Sequence, residues 1–110
     1  VVQEEIFGPV ITVQPFSSEE EAIALANGTR FGLAAGVLTN DLMKAERVAE
    51  QLQAGTIWIN GYHTPHIETA WGGFKESGIG RELGPSGLAA FTEIKHVNTN
   101  SKLARVNWYQ

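Results

Sequence analysis

Three short runs rich in β-branched and apolar residues alternate with two segments of helical periodicity. This alternation constrains the fold more than any other feature of the 110-residue sequence. Val10-Ile11-Thr12-Val13, Leu33 to Leu38 and Thr56-Ile57-Trp58-Ile59 are short and apolar, the pattern of strands. The run Leu33 to Leu38 reads as a strand covered on both faces. Between the first two, Ser17 and Glu20 have capping-box spacing, and Glu19 to Glu21 suit the positive end of a helix dipole. Ala22, Ile23 and Ala26 form an apolar stripe, and Asn27-Gly28 offers a left-handed stop. Asn40 or Asp41 caps a second helix, in which Leu42, Ala45, Val48, Ala49 and Leu52 recur at helical spacing before Gly55. Strand, helix, strand, helix, strand is the signature of crossovers in a parallel sheet. The expected fold class is α/β, a partial parallel sheet with alternating helices.

The remainder follows a different pattern. Gly61 to Gly84 is loop-like, Gly84 to Phe91 reads as a short helix, and Glu93 to Asn98 is suited to a last strand before a polar tail. Three strands buried on both faces need more cover than two helices give, so periodicity alone implies part of a larger α/β domain. Residue 1 is Val rather than Met. The expectation is either a removed upstream stretch or a piece of a longer chain.

Composition excludes several classes. The net charge is -4 and no lysine or arginine cluster appears, which leaves nucleic-acid binding without an electrostatic footprint. No apolar run is long enough for a bilayer, and no signal segment opens the sequence. The absence of cysteine rules out a disulfide scaffold and fits a reducing, cytoplasmic location.

Among candidate motifs, Gly78-Ile79-Gly80-Arg81-Glu82-Leu83-Gly84 fails as a dinucleotide loop, because its third glycine is one residue late and no strand precedes it. His63 and His66 lack further metal ligands, and no metal site is expected. No GxSxG elbow is present. Glu4-Glu5-Ile6-Phe7-Gly8-Pro9-Val10 is more informative. In an extended backbone Glu5 and Phe7 point to the same side. A carboxylate there can accept from ribose hydroxyls, and a phenyl ring can pack on a heteroaromatic ring. The alternative is an exposed Glu and a core Phe.

Glu-Glu-Ile-Phe-Gly-Pro-Val, Gly-Thr-Ile-Trp-Ile-Asn and Trp-Gly-Gly-Phe-Lys-Glu-Ser-Gly-Ile-Gly-Arg-Glu-Leu-Gly resemble, in order and spacing, the aldehyde dehydrogenase superfamily. The likeness runs from Val1 to about Val97, and is greatest to its betaine aldehyde dehydrogenases. It implies a fragment of the catalytic domain over residues 1–92, with an oligomerisation strand and tail over 93–110. By this resemblance Glu5 and Phe7 are the cofactor-binding residues, Glu5 on the ribose of the nicotinamide side and Phe7 beside the nicotinamide of NAD or NADP. The family's reaction uses a cysteine thiolate that attacks the aldehyde, hydride transfer to nicotinamide, and water activated by a glutamate. No catalytic residue can be placed here, and the chain alone is expected to be inactive.

Trp71, before Gly72-Gly73, is the substrate-binding residue that the resemblance implies, lining the aldehyde tunnel. An indole face attracts a trimethylammonium group by ~0.5–2 kcal/mol, which makes betaine aldehyde a candidate substrate beside other aldehydes. Gly61-Tyr62-His63-Thr64-Pro65 and Asn107-Trp108-Tyr109 also resemble that subfamily. Lys75 to Glu82 reads as structural, and by the resemblance the strand near Ile94 to Thr99 pairs with a neighbouring subunit, which implies a homo-oligomer, dimer or tetramer. The expected partners are a small aldehyde and further copies of the chain, without nucleic acid or membrane. Two alternatives stand: a non-catalytic oligomerisation module, and a nucleotide-binding module using Glu5 and Phe7.

Overall fold

The computed structural model describes residues 1–102; the Asn107-Trp108-Tyr109 stretch and most of the polar tail lie outside them. The elements in order are α1 (Glu19–Asn27), β1 (Phe31–Gly32), β2 (Ala34–Val37), α2 (Leu42–Gln51), β3 (Thr56–Ile59), β4 (Phe74–Lys75) and α3 (Gly84–Ala89). The chain is thus mixed α/β, as its periodicity implies.

The centre is a β2–α2–β3 unit. Strands β2 and β3 pair in parallel, with Ala34 opposite Thr56 and Val37 opposite Ile59, and α2 contacts both. Two parallel neighbours need a crossover of this kind. Asp41 caps α2, its Oδ1 accepting from the Lys44 N–H at 3.0 Å. The helix ends at Gln51, where Leu52 turns extended, ahead of the Gly55 stop that composition suggests.

Helix α1 begins one residue later than the Ser17–Glu20 spacing implies. Ser18 is the N-cap, accepting from the Glu21 N–H, and the Glu21 carboxylate accepts from the Ser17 N–H at 2.8 Å and its hydroxyl at 2.6 Å. A reciprocal cap therefore forms, displaced by one position along an acidic run that offers three choices. The other end departs further: Gly28 has φ −75°, so the left-handed stop is not used. The Lys75 ammonium instead donates to the carbonyls of Asn27 and Thr29 at 2.8 and 3.0 Å, a cation at the negative end of the helix.

Two strand expectations need correction. Val10 to Val13 forms no ladder and is exposed throughout, because β-propensity expresses itself only against a neighbouring strand. Glu93 to Asn98 has no ladder partner within the described residues of this chain, where the expectation was pairing with another subunit. The Leu33 to Leu38 run is not covered on both faces: Leu38 is 79% exposed, and β2 is at best half-buried. The helices of this chain cover too little surface for that. Inside the Gly61 to Gly84 loop, β4 pairs antiparallel with β1, Phe31 opposite Lys75 and Gly32 opposite Phe74. That pairing has no period to betray it at two residues a strand.

Ala45 is the fully buried apolar residue of the core. The Cα radius of gyration is 21.9 Å, against about 13 Å for a globular domain of this length. Among the described residues no helix is long and apolar enough to cross a membrane.

α1 and α2 are joined by a forked ion pair, Arg47 Nε and Nη2 each 2.7 Å from a Glu19 carboxylate oxygen. The Arg47 hydrogen bonds, followed by its charge, hold the Glu19 carboxyl below its ordinary value of 4.5. Hydrogen bonds from Ser17 hold Glu21 below the same value. Carboxyls depressed by folding stabilise above the unfolded value, and that stabilisation is lost as pH falls through the folded one. Helical circular dichroism of the chain should therefore fall as pH drops below 4.5. In Arg47→Met the Glu19 share of that acid loss should vanish. An acid profile identical in the variant would show that the fork contributes nothing.

Candidate functional site

The N-terminal segment does not stay extended. Phe7 has φ 54°, a left-handed conformation that a bulky residue rarely adopts, and the Val10 N–H closes a tight turn onto the Gly8 carbonyl at 2.7 Å. Strict alternation is therefore broken between Glu5 and Phe7. The two residues nevertheless line one shallow hollow of about 350 Å³, with Glu4, Ile6 and Gly8. Phe7 is 92% exposed, so it packs into no core formed by the described residues. Left-handed backbone at a large apolar residue is the kind of strain that clusters at ligand sites.

Glu5 also opens on a second, larger hollow of about 450 Å³, with Asn27, Thr29, Gln53, Glu76 and Ser77 on its rim. Its walls are tied by hydrogen bonds: the Gly32 N–H donates to Ser77 Oγ at 2.9 Å, and the Gln53 N–H to Asn27 Oδ1 at 2.8 Å. A carboxylate among such neighbours is an acceptor for hydroxyl donors.

Trp71 lies elsewhere, on a third hollow of about 410 Å³ with Gly73, Ile79 and Arg81. Leu33 and Ser77 line this hollow and the larger one beside Glu5. The structure thus brings Glu5 and Phe7 together and places Trp71 across a shared wall. Trp71 is held by the main chain, exchanging two 2.7 Å hydrogen bonds with Glu82. Arg81 donates to the Gly73 carbonyl at 3.0 Å, and its guanidinium lies 5.4 Å from the Phe74 ring centroid. Arg81 is therefore a structural partner, as its surroundings in sequence imply.

Sequence reasoning missed the aromatic cluster around Trp71. Trp58 on β3 lies 6.1 Å from Trp71, 5.1 Å from Tyr62 and 5.8 Å from His63, centroid to centroid. Tyr62 and His63 meet edge to face at 4.5 Å. The two histidines considered as ligands are thus separated in role, His63 stacking on Trp58 at an 18° interplanar angle. Gly36 is opposite Trp58 in the β2–β3 register, where a Cβ would stand in ordinary van der Waals contact with the Tyr62 ring, so the cluster carries no glycine signal in sequence.

The loop carrying Trp71 is set against β3 by backbone contact. A Cβ at Gly55 would overlap the Gly72 carbonyl oxygen, and one at Gly73 would strike Ser77. Gly55→Ala should therefore push the Trp71-Gly72-Gly73 segment off β3, with loss of soluble folded protein or a melting temperature lower by several degrees. A variant that melts like the parent would show that the segment yields without cost.

Comparison with known proteins follows this geometry. The profile of the aldehyde dehydrogenase family matches residues 1–97. The betaine aldehyde dehydrogenase of Bacillus subtilis is 57% identical over 109 residues, covering 99% of this chain and 22% of that protein. The peroxisomal aminoaldehyde dehydrogenase 1 of Pisum sativum is 48% identical over 108 residues, 98% of this chain and 22% of that protein. The crystal structure of betaine aldehyde dehydrogenase from Staphylococcus aureus in complex with NAD+ superposes with a TM-score of 0.93 at 51% identity, covering 98% of this chain and 22% of that one. The chain therefore spans about a fifth of the length of these relatives, and it belongs to the aldehyde dehydrogenase family.

Proposed function

We propose that residues 1–92 are the C-terminal part of the catalytic domain of an NAD(P)-dependent aldehyde dehydrogenase, supplying cofactor and substrate contacts while the reacting groups come from elsewhere. The observation that carries this reading is the wall shared by two hollows, with Glu5 opening on one and Trp71 on the other. Oxidation of an aldehyde by a nicotinamide requires the two ligands to meet, and adjacent hollows lined by an acceptor carboxylate and an aromatic ring suit that need. The exposed Glu5 carboxylate and Phe7 ring fit ribose hydroxyls and a flat nicotinamide ring. NAD is favoured over NADP because the Staphylococcus aureus relative holds NAD+. The cofactor would supply the hydride acceptor; this chain's residues bind and orient. With no cysteine in the sequence, the chain has no thiolate to offer and should be inactive alone. The cysteine-free composition also supports a cytoplasmic location.

For the substrate we favour betaine aldehyde. Trp71 with Trp58 and Tyr62 behind it presents indole and phenol surface, which attracts a quaternary ammonium. Two relatives are named for betaine aldehyde and aminoaldehyde. Glu93 to Asn98 is assigned to pairing with a second subunit, a role suited to an exposed stretch in which Ile94 is 100% accessible.

A chimera in which residues 1–110 replace the matching segment of the Bacillus subtilis enzyme tests these assignments. It should oxidise betaine aldehyde with NAD+, whereas the isolated chain should not. Glu5→Gln should raise KM for NAD+. Trp71→Ala should lower kcat/KM for betaine aldehyde about 2–30-fold, and leave 3,3-dimethylbutanal, its neutral isostere, little changed. Equal losses for both aldehydes would reduce Trp71 to an apolar wall. Val97→Pro, which removes a ladder donor, should give a smaller particle on sedimentation, and an unchanged particle would remove the pairing assignment.

A further inference from the structure

We infer that Trp58 is a positioning residue for the substrate wall: its indole N–H fastens the loop that carries Trp71, and so sets where that aromatic face stands. The inference rests on the reading of Trp71 as a substrate contact and extends it to a residue one layer behind.

The loop between β3 and Trp71 is held at its far end by several main-chain bonds. Trp71 and Glu82 exchange two, the Gly84 N–H donates to the Ile67 carbonyl at 3.0 Å, and the Thr69 N–H closes a turn onto His66 at 3.1 Å. At the near end, the Asn60 N–H reaches the Val37 carbonyl at 2.8 Å. Between these anchors, residues 61–65 make no main-chain hydrogen bond among the described residues. Their polar tie to the rest of the fold is the bond from Trp58 Nε1 to the Thr64 carbonyl at 3.1 Å. The same indole fills the space between the loop's rings. Tyr62 meets it edge to face, His63 stacks on it, and Trp71 leans on it at 41°.

Trp58 is itself held by the parallel ladder. It lies on β3, in parallel register with Gly36, and half-buried. One rigid strand thus carries the donor, and one indole serves both as a packing surface and as a hydrogen-bond donor to a loop that has little else. A phenyl ring at position 58 preserves most of the packing and removes the donor, which separates the two contributions.

The experiment uses the chimera with Trp58→Phe, Trp71→Ala and both together. Loss of one such hydrogen bond should raise KM for betaine aldehyde about 2–10-fold, with kcat and KM for NAD+ unchanged. In the Trp71→Ala background Trp58→Phe should add nothing, since a residue acting through another is non-additive with it. Additive losses, or a rise in KM for NAD+ with falling thermal stability, would overturn the inference in favour of direct contact or general support. Hydrogen–deuterium exchange gives a readout that does not depend on the substrate reading. In Trp58→Phe, the bonded amides of the same loop, Thr69 and Trp71, should exchange faster while those of β2 and β3 stay as in the parent. If Trp71→Ala proves silent towards the aldehyde, the substrate reading falls, and faster loop exchange still shows Trp58 fastening the loop. Unchanged loop exchange in Trp58→Phe would sink the inference whatever the kinetics show.

Discussion

Asn27 is the point at which separate pieces of this chain are made into one arrangement. Its side-chain amide donates to the Gln51 carbonyl at 2.8 Å and accepts from the Gln53 N–H at 2.8 Å, while its own carbonyl takes the Lys75 ammonium. The end of α1, the end of α2 and β4 therefore meet on one residue. Each bond contributes only about 0.5–1.5 kcal/mol, but the bonds are directional. In a chain whose fully buried apolar core residue is Ala45, direction is what apolar burial cannot supply. Once Lys75 is fixed, the short β1–β4 ladder follows, extended by the Glu76 N–H on the Arg30 carbonyl at 3.0 Å.

From that junction the site is positioned by close main-chain approach rather than by side-chain packing. Gly32 sits where a Cβ would strike the Gln53 carbonyl, and Gly55 where one would strike Gly72. These contacts bring β1, β3 and the Trp71 loop within main-chain distance, and they place Ser77 and Leu33 as the wall between two hollows. Glycine is the residue that allows backbone to approach backbone so closely. The glycines that resemble a phosphate loop in sequence thus serve the turn that returns the chain to Glu82, where Gly80 stands at φ 83°.

The parts of the fold legible in sequence were those with a period or a cap: the β2–α2–β3 unit, Asp41, the acidic start of α1. What stayed hidden arises from pairings far apart in the chain. The bond from Gly32 to Ser77 spans 45 residues, and Lys75 ends β4 with φ 54°, which no propensity scale favours for lysine. Glu5 and Phe7 stood out in sequence as an acceptor and a ring, but not in their geometry: alternation put them on one side, whereas the backbone reverses sign at Phe7 and still gathers both on one hollow. Trp71 stood out in sequence through its motif. Its companions did not, because Trp58 inside a β-rich run looks like any buried strand residue until the register sets it opposite Gly36.

Within the reading proposed above, this segment does not carry the chemistry; it shapes the place where chemistry occurs. Glu5, Phe7 and Trp71 are an acceptor, an apolar ring and an indole, and none of them is a nucleophile poised beside a base. Residues of that kind act through position, and position here rests on short ties: a forked ion pair between helices, an asparagine junction, an indole N–H on a loop carbonyl. Ile11, Val13 and Phe16 remain largely exposed on the same chain, apolar surface that the proposed reading leaves to be covered by the rest of a dehydrogenase. A binding wall made of directional ties and a large apolar surface left to be covered are consistent features of one design. The ties fix the local geometry of the hollows, and burial of the apolar face against the remainder of a dehydrogenase would bring those hollows to the reacting groups.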